Sequence, residues 1–134
     1  MKEIVASLNE LQKVIECIRQ SQKRVILLKG TLGSGKTTLV KAFAKELGQE
    51  GVTSPTFSVQ QVYGQNIFHY DLYQAGFSKF MELGLFEELE KEGYHFIEWP
   101  NEELENFLRT IGIPFLKIEI EPEGEKRIYR CIDS

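Results

Sequence analysis

One eight-residue stretch constrains this chain more than any other. Gly30-Thr31-Leu32-Gly33-Ser34-Gly35-Lys36-Thr37 satisfies every fixed position of the pattern G-x-x-x-x-G-K-[ST]. Its glycines let the backbone turn so that successive N–H groups point inward as an anion nest. The pattern has chemical meaning only between a strand and a helix, and both are legible. Arg24-Val25-Ile26-Leu27-Leu28-Lys29 reads as a short buried strand. Leu39, Phe43 and Leu47 line one face of a helix expected from Lys36 to Leu47, with Gly48 as its stop. That helix adds its N-terminal dipole to the nest, Lys36 reaches the β- and γ-phosphates, and the Thr37 hydroxyl becomes a Mg²⁺ ligand. The stretch implies binding of a nucleoside triphosphate.

The remaining pattern predicts a mixed α/β domain around this loop. Ser7-Leu8-Asn9-Glu10 has the form of a capping box, with Ser7 as N-cap of a helix carrying Leu8, Leu11, Val14, Ile15 and Ile18 to about Gln20. Residues 51–66 read as a loop and one or two strands. Asn66 to Tyr70 is a strand closed by Asp71, and Tyr94 to Ile97 is a strand closed by Glu98. Between them Phe77 to Glu92 reads as two short helices broken at Gly84. Asn101 caps a helix through Arg109, with Glu102 and Glu103 in its first turn. Leu116, Ile118 and Ile120 alternate with charges, a turn falls at Pro122-Glu123-Gly124-Glu125, and Lys126 to Ile132 returns as the second strand of a hairpin. With no repeat or linker, 134 residues make one domain, 1–134. Its expected class is an α/β P-loop NTPase: a mostly parallel central sheet flanked by helices, ending in an antiparallel β-hairpin.

Composition removes several function classes. The longest aliphatic run is Val25 to Leu28, far short of the roughly 20 residues of a membrane span, and the start has no apolar leader. A cytoplasmic protein with no membrane role is expected. Cys17 and Cys131 make neither a disulfide framework nor a metal cluster and read as small buried hydrophobes. Sixteen basic against 20 acidic residues give a net charge of −4, no footprint for gripping nucleic acid directly, so any RNA would be held through a partner.

Only two of those acids are aspartates, Asp71 and Asp133, which makes Asp71 at a strand end noteworthy. In an open α/β sheet the strand ends meet at the nucleotide crevice, so Asp71 and Glu98 both face it. Chemistry asks for one acid on Mg²⁺ and one orienting or activating the attacking water; sequence leaves open which does which. Thr53-Ser54-Pro55-Thr56-Phe57 lies where nucleotide switches keep a γ-phosphate sensor, and reads equally as a proline-stiffened turn. His69 and His95 sit inside apolar strands and read as core or interface residues. Trp99, beside Glu98, is a core aromatic or a nucleotide or partner contact. None of the five arginines (Arg19, Arg24, Arg109, Arg127, Arg130) falls in 53–98, where an arginine finger in cis would come. The isolated chain is therefore expected to hydrolyse slowly, with activation supplied by a partner.

A signalling GTPase would carry N-K-x-D and D-x-x-G, and neither occurs; Asp71 is followed by Leu72-Tyr73-Gln74. A small-molecule kinase would need an acceptor insert and an arginine-rich lid, for which the chain has no room. The ordered pieces Leu32-Gly33-Ser34-Gly35-Lys36-Thr37-Thr38, Thr53-Ser54-Pro55-Thr56-Phe57, His69-Tyr70-Asp71-Leu72-Tyr73, Glu82-Leu83-Gly84-Leu85 and Ile97-Glu98-Trp99-Pro100 resemble the bacterial tRNA threonylcarbamoyladenosine biosynthesis ATPase family TsaE (YjeE) over residues 7–100. The phosphate loop alone is generic, whereas S-P-T-F, D-L-Y and I-E-W-P are specific.

The resemblance implies an ATPase that joins TsaB and TsaD, the complex that places threonylcarbamoyl on the adenosine beside the tRNA anticodon. ATP turnover resets that complex and does not supply the group. The ATP and Mg²⁺ contacts it implies are Gly30, Thr31, Leu32, Gly33, Ser34, Gly35, Lys36, Thr37 and Thr38, with Ser54 and Thr56 as switch and Trp99 in support. Thr37 and Glu98 hold the metal, and Asp71, Glu98 and Lys36 are the catalytic groups. Alone, the chain would be a monomer or weak oligomer. Two positions depart from the family: Gln74 stands where Arg usually follows D-L-Y, and Asn101 where Glu often follows I-E-W-P. The alternatives are a minimal small-molecule kinase and a nucleotide-gated assembly module with incidental hydrolysis.

Overall fold

A computed structural model describes residues 1–53 and 59–133. The elements run β1 (Lys2–Ala6), α1 (Gln12–Ser21), β2 (Val25–Gly30), α2 (Lys36–Glu46), β3 (Val52–Thr53), β4 (Gln60–Tyr63), β5 (Ile67–Asp71), α3 (Gly76–Glu82), α4 (Leu85–Glu88), β6 (Tyr94–Glu98), α5 (Glu102–Thr110), β7 (Phe115–Glu123) and β8 (Lys126–Asp133). They build one eight-stranded sheet in the order β1-β8-β7-β2-β6-β5-β4-β3. The four central strands, β7, β2, β6 and β5, are parallel; the pairs toward both edges are antiparallel. This is the expected class, terminal hairpin included.

Helices on both faces explain why β2 is buried at four consecutive positions, Val25 to Leu28. Its side chains divide by parity. Ile26 and Leu28 join Phe96, Ile118 and the apolar sides of α1 and α2, while Val25 and Leu27 join Tyr70, Ile97, Phe80 and Leu104 beneath α3, α4 and α5. Asn101 caps α5 as expected, its side chain accepting from the Leu104 N–H at 2.9 Å. Among the described residues no helix is long and apolar enough to cross a membrane. Cys131 is buried and Cys17 half-buried, both free; burial pushes the Cys131 thiol up to about 12.

Two local expectations are corrected. Ser7 does not cap a helix: Glu10 Oε1 accepts from Ser7 Oγ at 2.7 Å and Glu10 N donates to Ser7 O at 3.0 Å, closing a turn, and α1 begins only at Gln12. The turn is needed because residues 2–6 form an unforeseen edge strand, from which the chain must cross to α1. Only Ile4 and Ala6 of that strand face inward, too few to register as alternation. The terminal turn is also tighter than expected. Pro122 and Glu123 still pair with Arg127 and Lys126, leaving Gly124-Glu125 as the connection, with Gly124 at φ 59°.

On the α3–α5 face, His95 is wholly buried with both ring nitrogens engaged: Nδ1 lies 2.7 Å from Tyr70 Oη and Nε2 2.8 Å from the Lys91 carbonyl. Nε2–H therefore donates to Lys91 O while Nδ1 accepts from Tyr70. Burial holds His95 below the ordinary histidine value, against the pull of that carbonyl and of Glu88, with Lys91 adding to the depression. A depressed histidine contributes stability that is present above about pH 6.5 and is lost as pH falls toward the folded value. Urea denaturation at pH 7.5 and 5.5 checks this: the natural chain loses more stability across the interval than His95→Gln.

Candidate functional site

The phosphate loop leaves β2 at Gly30 and enters α2 at Lys36. Gly33 and Gly35 have φ of 76° and 106°, where a side chain is strained. Gly35 occupies the N-cap of α2 with no side-chain cap, so the first N–H groups of an 11-residue helix stay open to an anion. Lys36 is 5% exposed, and its Nζ donates to Gly30 O at 2.6 Å and Thr31 O at 3.2 Å. Burial holds the Lys36 ammonium below its ordinary value, while Glu98 and Asp71 pull the other way. Leu32, at the loop's tip, is 69% exposed.

Strand register brings the acids to this loop. Leu28 of β2 pairs with Glu98 of β6, and Glu98 pairs with Asp71 of β5. The alignment continues past the strands, since Trp99 N donates to Leu28 O and Leu72 N to Glu98 O, both at 3.2 Å. Glu98 is buried, and its Oε2 accepts from Thr37 Oγ1 at 2.8 Å and contacts His69 Nε2. Burial alone would raise the Glu98 carboxyl; the hydrogen bond from His69, then Thr37 and Lys36, outweigh it and hold it below the usual value. Asp71 is exposed, and its Oδ1 accepts from Tyr73 N at 3.0 Å, an Asx turn that fixes the carboxylate at the strand end.

Trp99 is a non-glycine residue at φ 63°, a conformation costing about 1–3 kcal/mol. Its ring lies 3.6 Å from Lys36 Nζ and 4.6 Å from the half-exposed Tyr73 ring. Two hollows adjoin at Thr37, Asp71 and Tyr73. One, of about 310 Å³, runs over the loop from Leu8 to Glu98 and Trp99 and takes in Leu32 through Thr38. The other, of about 960 Å³, opens past Asp71 toward Gln74, with Lys41 and Lys79 on its walls.

The donor set fits Mg²⁺. A hydroxyl that gives its proton to Glu98 keeps its lone pairs, and a carboxylate stands beside it: hard oxygens for a cation that retains most of its waters. Among the described residues no three of His, Cys, Asp and Glu gather to hold a metal alone, so the ion would arrive with the phosphates.

Loop, Lys36, Thr37, Glu98, Asp71 and Trp99 are thus together, while Ser54 and Thr56 lie outside the described residues. Three contributors escaped the sequence reading. His69 is on Glu98, and its signal was available: two residues before Asp71 on a strand means the same face. Arg127 of β8 donates through Nε to Ser34 O at 2.9 Å, and Leu8 lies 3.0 Å from where a Gly35 Cβ would stand. Both act across long chain separations that leave no local pattern. Among the described residues, no arginine lines either hollow.

Comparison with known proteins gives a consistent result. The family model described as threonylcarbamoyl adenosine biosynthesis protein TsaE matches residues 5–130. The tRNA threonylcarbamoyladenosine biosynthesis protein TsaE of Aquifex aeolicus is 37% identical over a 144-residue alignment covering 97% of each chain. Its Bacillus subtilis counterpart is 34% identical over 119 residues, 80% of this chain and 75% of that one. Among solved structures, the crystal structure of Bacillus subtilis YdiB superposes with a TM-score of 0.64 at 25% identity, covering 97% of this chain and 84% of that one.

The loop's two strained glycines give unequal expectations. A Cβ at Gly33 meets nothing within 4 Å, whereas one at Gly35 runs into Leu8 as well. Gly33→Ala should cost about 1 kcal/mol and Gly35→Ala about 2 kcal/mol, read as a difference in urea midpoint.

Proposed function

We infer that this chain, which belongs to the TsaE family of threonylcarbamoyl adenosine biosynthesis proteins, is a cytoplasmic Mg²⁺-dependent ATPase. It would serve the machinery that makes N6-threonylcarbamoyladenosine in tRNA. The observation that carries the ATPase reading is the Thr37–Glu98 hydrogen bond at the rim of the phosphate loop. It joins the two oxygen donors a nucleotide-bound cation needs, within reach of a buried lysine.

In this reading the open N–H groups of the loop and of α2 receive the phosphates, and Lys36 neutralises charge on the terminal ones. Thr37 and Glu98 hold Mg²⁺, which supplies charge neutralisation on the phosphates. Asp71, exposed beside the metal pair and oriented by the Tyr73 N–H, orients the attacking water and accepts its proton. Glu98 is the metal acid because it is buried on Thr37; Asp71 is the water acid because it faces the open side. Ser54 and Thr56 complete the site as the switch segment, and Trp99 supports Lys36.

Partner dependence follows from what the hollows lack. An arginine finger is worth several orders of magnitude in phosphoryl transfer, and the described walls provide lysines but no arginine. Turnover therefore waits for engagement with TsaB and TsaD, and the acidic chain meets tRNA only through them. Purified chain alone should hydrolyse ATP slowly, and adding TsaB and TsaD should raise the rate at least about tenfold. Asp71→Asn should lower the stimulated rate by about 100-fold or more while ATP affinity stays within about threefold. Appreciable turnover that ignores the partners would overturn this reading and favour a small-molecule acceptor.

A further inference from the structure

The two histidines lie on neighbouring strands, yet their surroundings differ in kind. His95 faces α3–α5, and both of its ring nitrogens are satisfied by Tyr70 and Lys91, as a structural core histidine should be. His69 faces the other side of the sheet, is 5% exposed, and among the described residues has one polar partner, Glu98 Oε2. Its Nδ1 is buried with no hydrogen-bond partner among the described residues. Leaving a buried ring nitrogen unpaired costs about 1–3 kcal/mol, which an aliphatic side chain of similar size would avoid. Packing alone does not account for a histidine here.

Its contact with Glu98 does. Two donors, His69 Nε2 and Thr37 Oγ1, converge on the same carboxylate oxygen, Oε2. The other oxygen, Oε1, has no hydrogen-bond partner among the described residues. A glutamate has three side-chain torsions, and one hydroxyl contact leaves the carboxylate plane free to turn about that point; a second donor from a different strand stops the rotation. The ring that supplies it is steadied by Tyr63, stacked at 6.1 Å and 30°. Because Nε2 is committed to the carboxylate and Nδ1 is buried, His69 is not itself a metal ligand. It acts on the ligand instead, as groups behind a metal's donors commonly do.

We propose that His69 is a positioning residue: its Nε2–H pins Glu98 Oε2 and so presents Oε1 to the cation of a bound Mg–nucleotide. The proposal rests on the nucleotide-site reading above and adds a residue to it.

The test is calorimetric titration of ADP into the full chain, with Mg²⁺ and with EDTA, for the natural protein, His69→Phe and His69→Gln. The natural protein should bind more tightly with Mg²⁺ than without. His69→Phe, which keeps ring volume and removes the donor, should lose about tenfold or more of the Mg²⁺-dependent gain. Its affinity in EDTA should stay within about twofold, because the loop and Lys36 hold the phosphates. His69→Gln, with an N–H to offer, should recover most of the loss. An unchanged Mg²⁺ effect in His69→Phe, or an equal loss with and without Mg²⁺, overturns the proposal. Failure of the natural protein to bind ADP at all would instead bring down the nucleotide reading, and this proposal with it.

Should His69→Phe not fold, ¹⁵N–¹H correlation of the histidine rings in the natural chain decides the matter. His69 should be an Nε2–H tautomer that persists when Mg–ADP is added. An Nδ1–H tautomer would sink the idea.

Discussion

Everything chemical in this molecule depends on three parallel strands ending level with one another. Leu28, Glu98 and Asp71 stand side by side across β2, β6 and β5. Because side-chain direction alternates along a strand, a one-residue slip of β6 would send Glu98 to the α3–α5 face and leave Thr37 with no carboxylate. The register is secured from both directions. Below the site, Phe96, packed in the core beside its partner Ile26, would be carried to the other face by the same slip. Above it, the Trp99 and Leu72 N–H groups continue the pairing beyond the last strand residue. A loop that binds phosphates is common chemistry; placing an acid within 2.8 Å of its threonine is what the sheet contributes.

The site also concentrates most of the polar burial that a stability argument alone would remove. Lys36 and Glu98 are charged and nearly inaccessible, Trp99 holds a left-handed backbone, and His69 Nδ1 and Ser34 Oγ are buried with no hydrogen-bond partner among the described residues. On the opposite face the polar groups are matched instead, with Tyr70, His95 and the Lys91 carbonyl satisfying one another and Gln60 bonded to Glu88. The contrast separates polar residues that finish a core from those held ready for something else. Lys36 illustrates the second kind. Its two hydrogen bonds go to carbonyls of its own loop, and Trp99 covers it without accepting a proton; Glu98 and Asp71 favour the charge from nearby, and among the described residues it forms no ion pair.

Much of this was legible in the chain because the signals are local. The strand before the loop, the helix after it, the break at Gly84 and the Asn101 cap all rest on residues within one or two turns of each other, and all are found. So are the two acid-tipped strands. What was not legible acts at a distance or is too short to make a period. The edge strand at residues 2–6 is held by pairing with β8, more than a hundred residues later. The Ser7–Glu10 pair carries the composition of a helix start, yet the same two side chains close a turn equally well once the preceding segment is pinned to the sheet. His69 was readable as a strand residue but not as a neighbour of Glu98, because that requires knowing that β5 and β6 are adjacent and parallel.

The C-terminal hairpin is more than an extension of the sheet. It flanks β2 on the side away from Glu98 and Asp71, so the loop is gripped from two directions with different purposes. On the β6–β5 side are the groups that can act on phosphates and a cation. On the β7–β8 side, Arg127 ties down the Ser34 carbonyl and Leu8 lies against Gly35, contacts that hold the loop's backbone and spend no catalytic group on doing so. A loop whose N–H groups must all point inward needs such outside support, since its glycines favour no single conformation by themselves. Arg127 is the arginine that touches the phosphate loop, and its contact is with the loop's backbone. Its Nε is committed to the loop backbone on the far side of β2 from the acids, where it stabilises the nest rather than the end of the triphosphate that Asp71 would serve.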